Sequence, residues 1–526
     1  MRAKILALII LVLIALVSFL GILSELNKKY GVEMPTFGGT LREGIIGNPR
    51  FMNPLLAQTD ADRDVVSLIY TGLMRYDKAG EPKPALAENY EVSPDGLIYT
   101  VTLKNKLYWP DGEKLTANDV IFTVSLAKNP LAQSPRRANW EGVDAEKVDD
   151  KTVRFRLKKA YAPFLENLTL GILPQHLWEK IPPSQIALAE LNINPVGAGP
   201  YKLKSTEHDS FGSITAINLT ANKYFVLGKP HLKTLSLRFY SGEEDVLKDL
   251  QGNILDAYGA ISSQNINKIS DAAIQKISLG RIIAVFLNQN AQKMFASYEI
   301  RRALNLATDK KRLVEKILGK YGKIIDGPFP RLAESVPYDP DSAKTTLSKS
   351  KTEVKFTLTT AQTPELAEAA EILKNMWNDA GFKVDVKTFP VSDLEQSVIG
   401  PRRYDAFLYG EELIGSVPDP FAFWHSSQRN YPGYNIALYT NSKVDKLLEQ
   451  ARAEQDREKR GELYDNIQNE IKKDLPAIFL FTPYYLYALP KDLGGADIAN
   501  INTGSERFAT VHEWYLEKNY VWKIFY

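Results

Sequence analysis

Cysteine is absent from all 526 residues. That excludes disulfides, thiolate metal sites, a cysteine nucleophile and a lipid-modified cysteine anchor. An exported chain without cysteine must hold its fold through the size of its core, and this one is long enough to do so. Histidine is scarce: His176, His208, His231, His425 and His512 form no H-x-x-x-H or H-x-x-H pair. No metal and no cofactor are therefore expected. A G-x-S-x-G nucleophile elbow is missing, which removes the commonest hydrolase signature, and no catalytic residue is assigned. Charge of one sign is missing too, since 65 basic residues face 63 acidic ones and leave +2. With no dense Lys/Arg run, a nucleic-acid partner is not expected.

What is present begins with a long apolar run. After Arg2 and Lys4, residues Ile5 to Leu23 read ILALIILVLIALVSFLGIL without one charge. Nineteen helical residues span roughly 28 Å, close to the hydrocarbon thickness of a bilayer. The basic flank predicts a cytoplasmic N-terminus and an extracytoplasmic remainder, held in the cell membrane by a single pass. The run is long for a cleaved signal and its end, SFLGILSEL, offers no A-x-A site, so an anchor is favoured over a cleaved leader. Residues 24–35 then form a polar tether.

Beyond it the chain is mixed α and β. DVVSLIYTGLMRYD (64–77) predicts a helix with Val65, Leu68, Ile69 and Leu73 on one face. LIYTVTL (97–103) and TVRFRL (152–157) read as strands, and GPYKL (199–203) starts another after Gly197 and Gly199. The second half holds a β-α-β unit: strand 353–359, helix 364–380 opened by Pro364 and closed by Gly381, strand 382–389. Such a unit implies a parallel sheet covered by helices. Its loop, TTAQT, has no phosphate-binding glycine motif. A helical stretch at 443–474 is predicted to break near Gly461, and 477–489 returns as an aromatic strand.

Two acidic segments are candidates for chemistry. LYWPDGEKLTAND (107–119) places Asp111, Glu113 and Asp119 near Trp109. Two carboxylates facing across a sugar could cleave a glycosidic bond. A turn at Pro110-Asp111-Gly112 and a capping box from Thr116 to Asp119 account for the same residues more simply. The second segment is RYDAFLYGEELIGSVPDPFAFWHS (403–426), where acids and aromatics meet after a strand. Ligands of open α/β sheets bind in the crevice beyond the strands' carboxyl ends. Glu411, Glu412 and Asp419 there suit an ammonium group; Tyr409, Trp424 and His425 suit apolar or sugar-like surfaces. The alternative is that Pro418-Asp419-Pro420 is a rigid turn with the aromatics packed beneath it.

The ordered set of segments resembles a known family. GGTLREG, NPRFMNPLLAQTDADRDVVSLIYTGLMRYDKAGEPKPALAENYEVSPDGLIYTVTL and YWPDGEKLTANDVIFTV are followed by VGAGPYKL (196–203) and YEIRRALNLATDKKRLVEKILGKYGKIIDGPFP (298–330). YDPDSAKTTL (338–347), PDP (418–420) and YTNSKVDKLLEQAR (439–452) complete it. Spanning about 40 to 520, this is similar to the family 5 solute-binding proteins of ABC importers, which include peptide-, dipeptide- and nickel-binding members. The resemblance implies an α/β, two-lobed type II periplasmic-binding-protein-like fold, here preceded by an N-terminal transmembrane helix (1–23). It implies a first lobe at 36–279 with an extra subdomain at 79–195, a second lobe at 280–494, and a segment 495–526 returning to the first. The strands 282–290 and 477–489 would cross the hinge, which adds Asn288 to the candidate ligand contacts.

The implied function is a receptor that closes around short peptides and delivers them to an ABC permease, as a monomer and without enzymatic activity. An acid of the segment containing PDP would hold the peptide amino terminus, with Glu411, Glu412 and Asp419 as the candidates. The apolar helix would tether the protein in place of the lipid found on many relatives. A sensor or assembly ectodomain, or a receptor for a nickel chelate, haem or oligosaccharide, is compatible with the same fold.

Overall fold

The structure, a computed structural model, describes residues 2–330, 337–349, 353–412 and 419–522. Arg2–Tyr30 is one helix, α1, and its side chains from Ile9 to Leu23 are exposed, among them Leu11 and Val17. Among the described residues no helix is long and apolar enough to cross a membrane. The membrane span expected over residues 5–23 is therefore not supported by the described structure.

β1 (Gly38–Ile46) opens the first lobe and α2 (Asp60–Ile69) follows. The helix expected over 64–77 is displaced toward the N-terminus. Asp62 N–H donates to Thr59 Oγ1 and Thr59 N–H donates back to the Asp62 carboxylate, each at 3.1 Å. This capping box starts the helix early. Its end is set by Gly72, where a Cβ would lie 2.6 Å from the Leu168 carbonyl oxygen, and Met74–Tyr76 is extended.

A four-stranded antiparallel sheet runs Ala87–Val92, β2 (Ile98–Leu103), β3 (Thr152–Leu157), Val143–Lys147. Helix α3 (Ala117–Lys128) packs beside it after the turn of residues 109–112. Gly112 N–H donates to the Trp109 carbonyl at 3.0 Å, and Thr116 N–H donates to Asp119 at 2.8 Å. The other Asp119 oxygen accepts the Gln175 N–H, and Asp111 meets His176 Nε2 at 2.8 Å. Trp109 is fully buried. Turn and cap, rather than an acid pair across a sugar, account for this segment.

β4 (Tyr201–His208), β5 (Ile214–Ala221) and β6 (Leu232–Tyr240) form an antiparallel meander, with β6 parallel to β1. Gly197 precedes it because the chain must pass against the end of α2: a Cβ at Gly197 would sit 2.3 Å from the Ile69 carbonyl oxygen. Gly197→Ala is expected to cost about 1–3 kcal/mol through this clash, read as a lower midpoint in thermal unfolding.

β7 (Ala257–Tyr258) and β8 (Ala272–Leu279) lead to Gly280, and β9 (Arg281–Leu287) begins the second lobe. There β10 (Gly322–Ile324), β11 (Lys355–Ala361), α4 (Pro364–Asp379) and β12 (Lys383–Phe389) follow. β11 and β12 are parallel, as the β-α-β pattern predicts. β13 (Ala406–Glu412) lies antiparallel to β9. Helices α5 (Ser442–Ala453) and α6 (Arg457–Asp474) come next. Their break is at 454–456, not at Gly461, because the Asp456 side chain accepts the Glu458 and Lys459 N–H groups and caps a new helix there.

β14 (Ala477–Pro490) joins everything. Its residues 477–481 pair with β9 and its residues 484–490 with β8. The sheet order β12-β11-β13-β9-β14-β7-β1-β6-β5-β4 is thus continuous through both lobes. One core, including Leu41, Tyr99, Phe155, Leu235 and Trp514, fills the first lobe and draws in the chain's C-terminal segment. In the second lobe, Val285, Trp377 and Leu408 pack on one sheet face, and Phe286, Phe407 and Trp424 on the other.

The returning segment is tied down by charge. Arg507 donates to Glu43 at 2.8 Å and to both Asp64 oxygens at 2.7 and 2.8 Å, and Tyr487 Oη donates to Glu43 at 2.7 Å. Next to Arg507, Glu506 accepts the Asn502 N–H at 2.9 Å, yet burial pushes its pKa up to about 7. Between its unfolded value near 4.5 and pH 7 the folded protein keeps a proton that the unfolded chain has lost. Stability from this group is complete at low pH and falls as pH rises through 7. In thermal melts between pH 5 and 8, Glu506→Gln should therefore show a smaller decline than the unmodified protein.

Candidate ligand site between the lobes

Where β14 passes from one lobe to the other, a cavity of about 500 Å³ opens. Small-solute sites commonly enclose about 300–1,000 Å³. Glu81 and Asn502 line it from the first lobe, Lys323, Phe329 and Tyr464 from the second, and Thr482 and Tyr484 from β14 itself. The Lys323 ammonium donates to Ser278 Oγ at 3.3 Å and lies 5.0 Å from the centre of the Tyr484 ring. Arg457, also lining the cavity, pairs with Glu81 at 2.5 Å. These residues carry no local motif; they are brought together only by the strand crossing, and sequence reasoning missed them.

The sequence-derived candidates separate into three groups. Two acids are already neutralised. Asp419 receives Arg452 Nε at 2.9 Å and Nη2 at 2.6 Å, as well as Tyr161 Oη at 3.3 Å. Glu412 faces Arg281 across the β13–β9 pair and accepts its Nε at 3.0 Å.

Glu411 differs. It is only 3% exposed, and among the described residues neither carboxylate oxygen has a hydrogen-bond partner. Burial alone pushes its pKa well above the usual carboxylate range. Alternation along β13 places it on the same sheet face as Phe407 and Tyr409, whose rings stack at 5.0 Å. Tyr409 is half-buried, and burial raises its pKa. That face also carries Phe329 and Tyr464 of the cavity wall.

The remaining candidates have packing or local roles. Trp424 is fully buried against Phe286 and Phe479. His425 stacks on Phe421 at 4.0 Å, its Nδ1 accepts the Ser427 N–H at 3.1 Å, and its Nε2 lies 3.5 Å from Glu449. Asn288 is buried, donating to the Tyr404 carbonyl at 2.9 Å and accepting the Ala291 N–H at 2.9 Å. Pro418, part of the expected Pro-Asp-Pro turn, lies outside the described residues, as does the rest of 413–418. Among the described residues no group of three His, Asp or Glu side chains is placed to hold a metal ion.

A cavity at the crossing of two lobes is the arrangement expected of a solute receptor, and comparison with known proteins decides the family. The bacterial extracellular solute-binding proteins, family 5 (middle region), match residues 81–435. The chain belongs to this family. The oligopeptide-binding protein AppA of Bacillus subtilis (strain 168) is 26% identical over 509 residues, 90% of this chain and 91% of AppA. The structure of that AppA with a nonapeptide matches at a TM-score of 0.73 and 25% identity, covering 92% of this chain and 100% of AppA. The substrate-binding protein CtaP of Listeria monocytogenes matches at 0.81 and 27% identity, over 92% and 100% of the two chains. NikZ of Campylobacter jejuni, in complex with Ni(L-His), matches at 0.74 and 27%, over 90% and 99%. The family-5 likeness therefore extends over both lobes, and these relatives differ in what their structures hold.

Proposed function

We propose that the protein is an extracytoplasmic receptor that captures short peptides between its lobes and hands them to an ABC permease. It acts as a monomeric binding protein, not as an enzyme. Glu411 carries the peptide part of this reading. A buried carboxylate with both oxygens open is costly unless something completes it, and a peptide ammonium is a suitable complement. Asp419 and Glu412 are less suited, because arginines already complete them. The oligopeptide-binding relative with its nonapeptide adds support from outside the chain. Ligand touching both lobes would favour the closed form by its higher affinity for it.

Attachment to the cell membrane through α1 belongs to the same proposal. It rests on the uncharged run Ile5 to Leu23 behind Arg2 and Lys4, and on the exposure of the side chains from Ile9 to Leu23. Isothermal titration with peptides of graded length tests the reading. Binding of free peptides supports it; no binding of any peptide, with saturable binding of a metal–amino-acid chelate instead, replaces it by the second solute class seen among the relatives.

A further inference from the structure

The corner between α5 and α6, with Asp419 held against it by Arg452, is joined to the first lobe by four polar contacts. The Ala162 N–H donates to the Arg452 carbonyl at 2.7 Å. Tyr99 Oη lies 3.3 Å from Gln455 Oε1, and Tyr161 Oη donates to Asp419 Oδ2 at 3.3 Å. Arg457 pairs with Glu81 at 2.5 Å. Shape adds to these. Gly96, at φ +69°, lies so close to the corner that a Cβ there would come within 2.8 Å of Gln455 Nε2.

The second lobe holds its half of this junction ready. Arg452 fixes the Asp419 carboxylate through Nε and Nη2, and its guanidinium sits 3.8 Å over the Phe421 ring. Phe421 is backed in turn by the stacked His425 ring. An acceptor whose position is already set loses little freedom when Tyr161 docks on it. In the first lobe Tyr99 and Tyr161 lie beside one another, and the single Tyr99 hydroxyl hydrogen is shared between the Tyr161 carbonyl at 3.2 Å and Gln455 Oε1 at 3.3 Å. All donors and acceptors of the junction are supplied by the protein. Two of its members, Glu81 and Arg457, also line the cavity, so releasing the junction opens that wall.

We propose that this corner is a clasp that keeps the lobes shut when no ligand is bound. The unliganded protein is then mostly closed, solute entry waits on release of the clasp, and Asp419 serves closure rather than ligand capture. The inference holds for any solute and does not depend on the peptide reading.

The absence of native cysteine makes the test direct. Spin labels at Lys180→Cys in the first lobe and Lys344→Cys in the second report the distance between lobes by pulsed electron resonance on the full chain, freed of bound solute. The unliganded protein should show mainly the short, closed distance. Combining Tyr99→Phe, Tyr161→Phe and Arg457→Ala should raise the open-to-closed ratio roughly tenfold, as expected for the loss of a few modest polar contacts. Circular dichroism confirms that the variant is folded; if it is not, Tyr161→Phe alone should shift the ratio in the same direction. A long distance in the unmodified protein, or an unchanged distribution in the folded variants, overturns the clasp.

Discussion

Replacing Arg507 by alanine should destabilise the first lobe by about 3–5 kcal/mol, because a buried charge cluster then loses the cation bonded to both of its carboxylates. Arg507, Glu43 and Asp64 are all at most 4% exposed. Burial opposes the arginine's charge, but Asp64 and Glu43 more than offset this, and the guanidinium is held firmly protonated. Burial also pushes both carboxyls upward, against the pull of Arg507. Removing the arginine leaves two carboxylates in the core with Tyr487 as the remaining donor to Glu43. The deficit should shrink as pH falls, since each carboxyl escapes its cost by taking a proton. Urea unfolding at pH 5 and pH 8 measures both effects. Equal deficits at the two values would show that the loss is one of packing. A triple replacement, Glu43→Gln, Asp64→Asn and Arg507→Met, should recover much of the stability, because no ionised group stays buried.

Glu411→Gln should separate binding from stability. If Glu411 holds a ligand ammonium, the substitution weakens peptides with a free amino terminus by about 2 kcal/mol or more, roughly 30-fold in Kd. Peptides acetylated at that end should bind both forms alike. Stability without ligand should move the other way. The folded pKa of Glu411 lies above its unfolded value, so its contribution is complete at low pH and is lost as pH rises through the raised value. The glutamine variant should therefore melt higher than the unmodified protein at pH 8 and close to it at pH 5. An unchanged affinity for free peptides, in a variant that shows this stability gain, would remove Glu411 from the ligand site while leaving its burial explained.

Much of the fold was legible because its signals are local. Pro364 and Gly381 bracket a helix, and alternation in 152–157 marks a strand, as the structure bears out. The turn and cap at 107–119 draw on few residues outside the segment, among them Asp150, Gln175 and His176. Boundaries were missed where a side chain's cap outweighed a glycine, as at Asp456 over Gly461. The site was harder to read. Three acids lie within nine residues of one another, and nothing in the segment distinguishes them. They are separated by arginines far away in sequence: Arg452, 33 residues beyond Asp419, and Arg281, 131 residues before Glu412. Glu411 stands out only by lacking such a partner among the described residues. Trp424 looked suited to a ligand by residue type and Asn288 by its place on an expected hinge strand, but their surroundings depend on helices and strands that close over them only in the folded lobe.

The shared strand β14 has a mechanical consequence. Its halves are hydrogen-bonded into different lobes, and around Thr482 to Tyr484 its partners change from β9 and β10 to β8. The lobes can thus turn about this ribbon like two covers on one spine, but neither can slide along the other without breaking its own ladder. The spine is also a ruler. One residue inserted at its middle would invert every side chain on one side of the insertion, sending Phe479 or Tyr487 from the interior of its lobe to the opposite face. Cavity walls can be rebuilt around the spine, but its length cannot be changed without remaking a core.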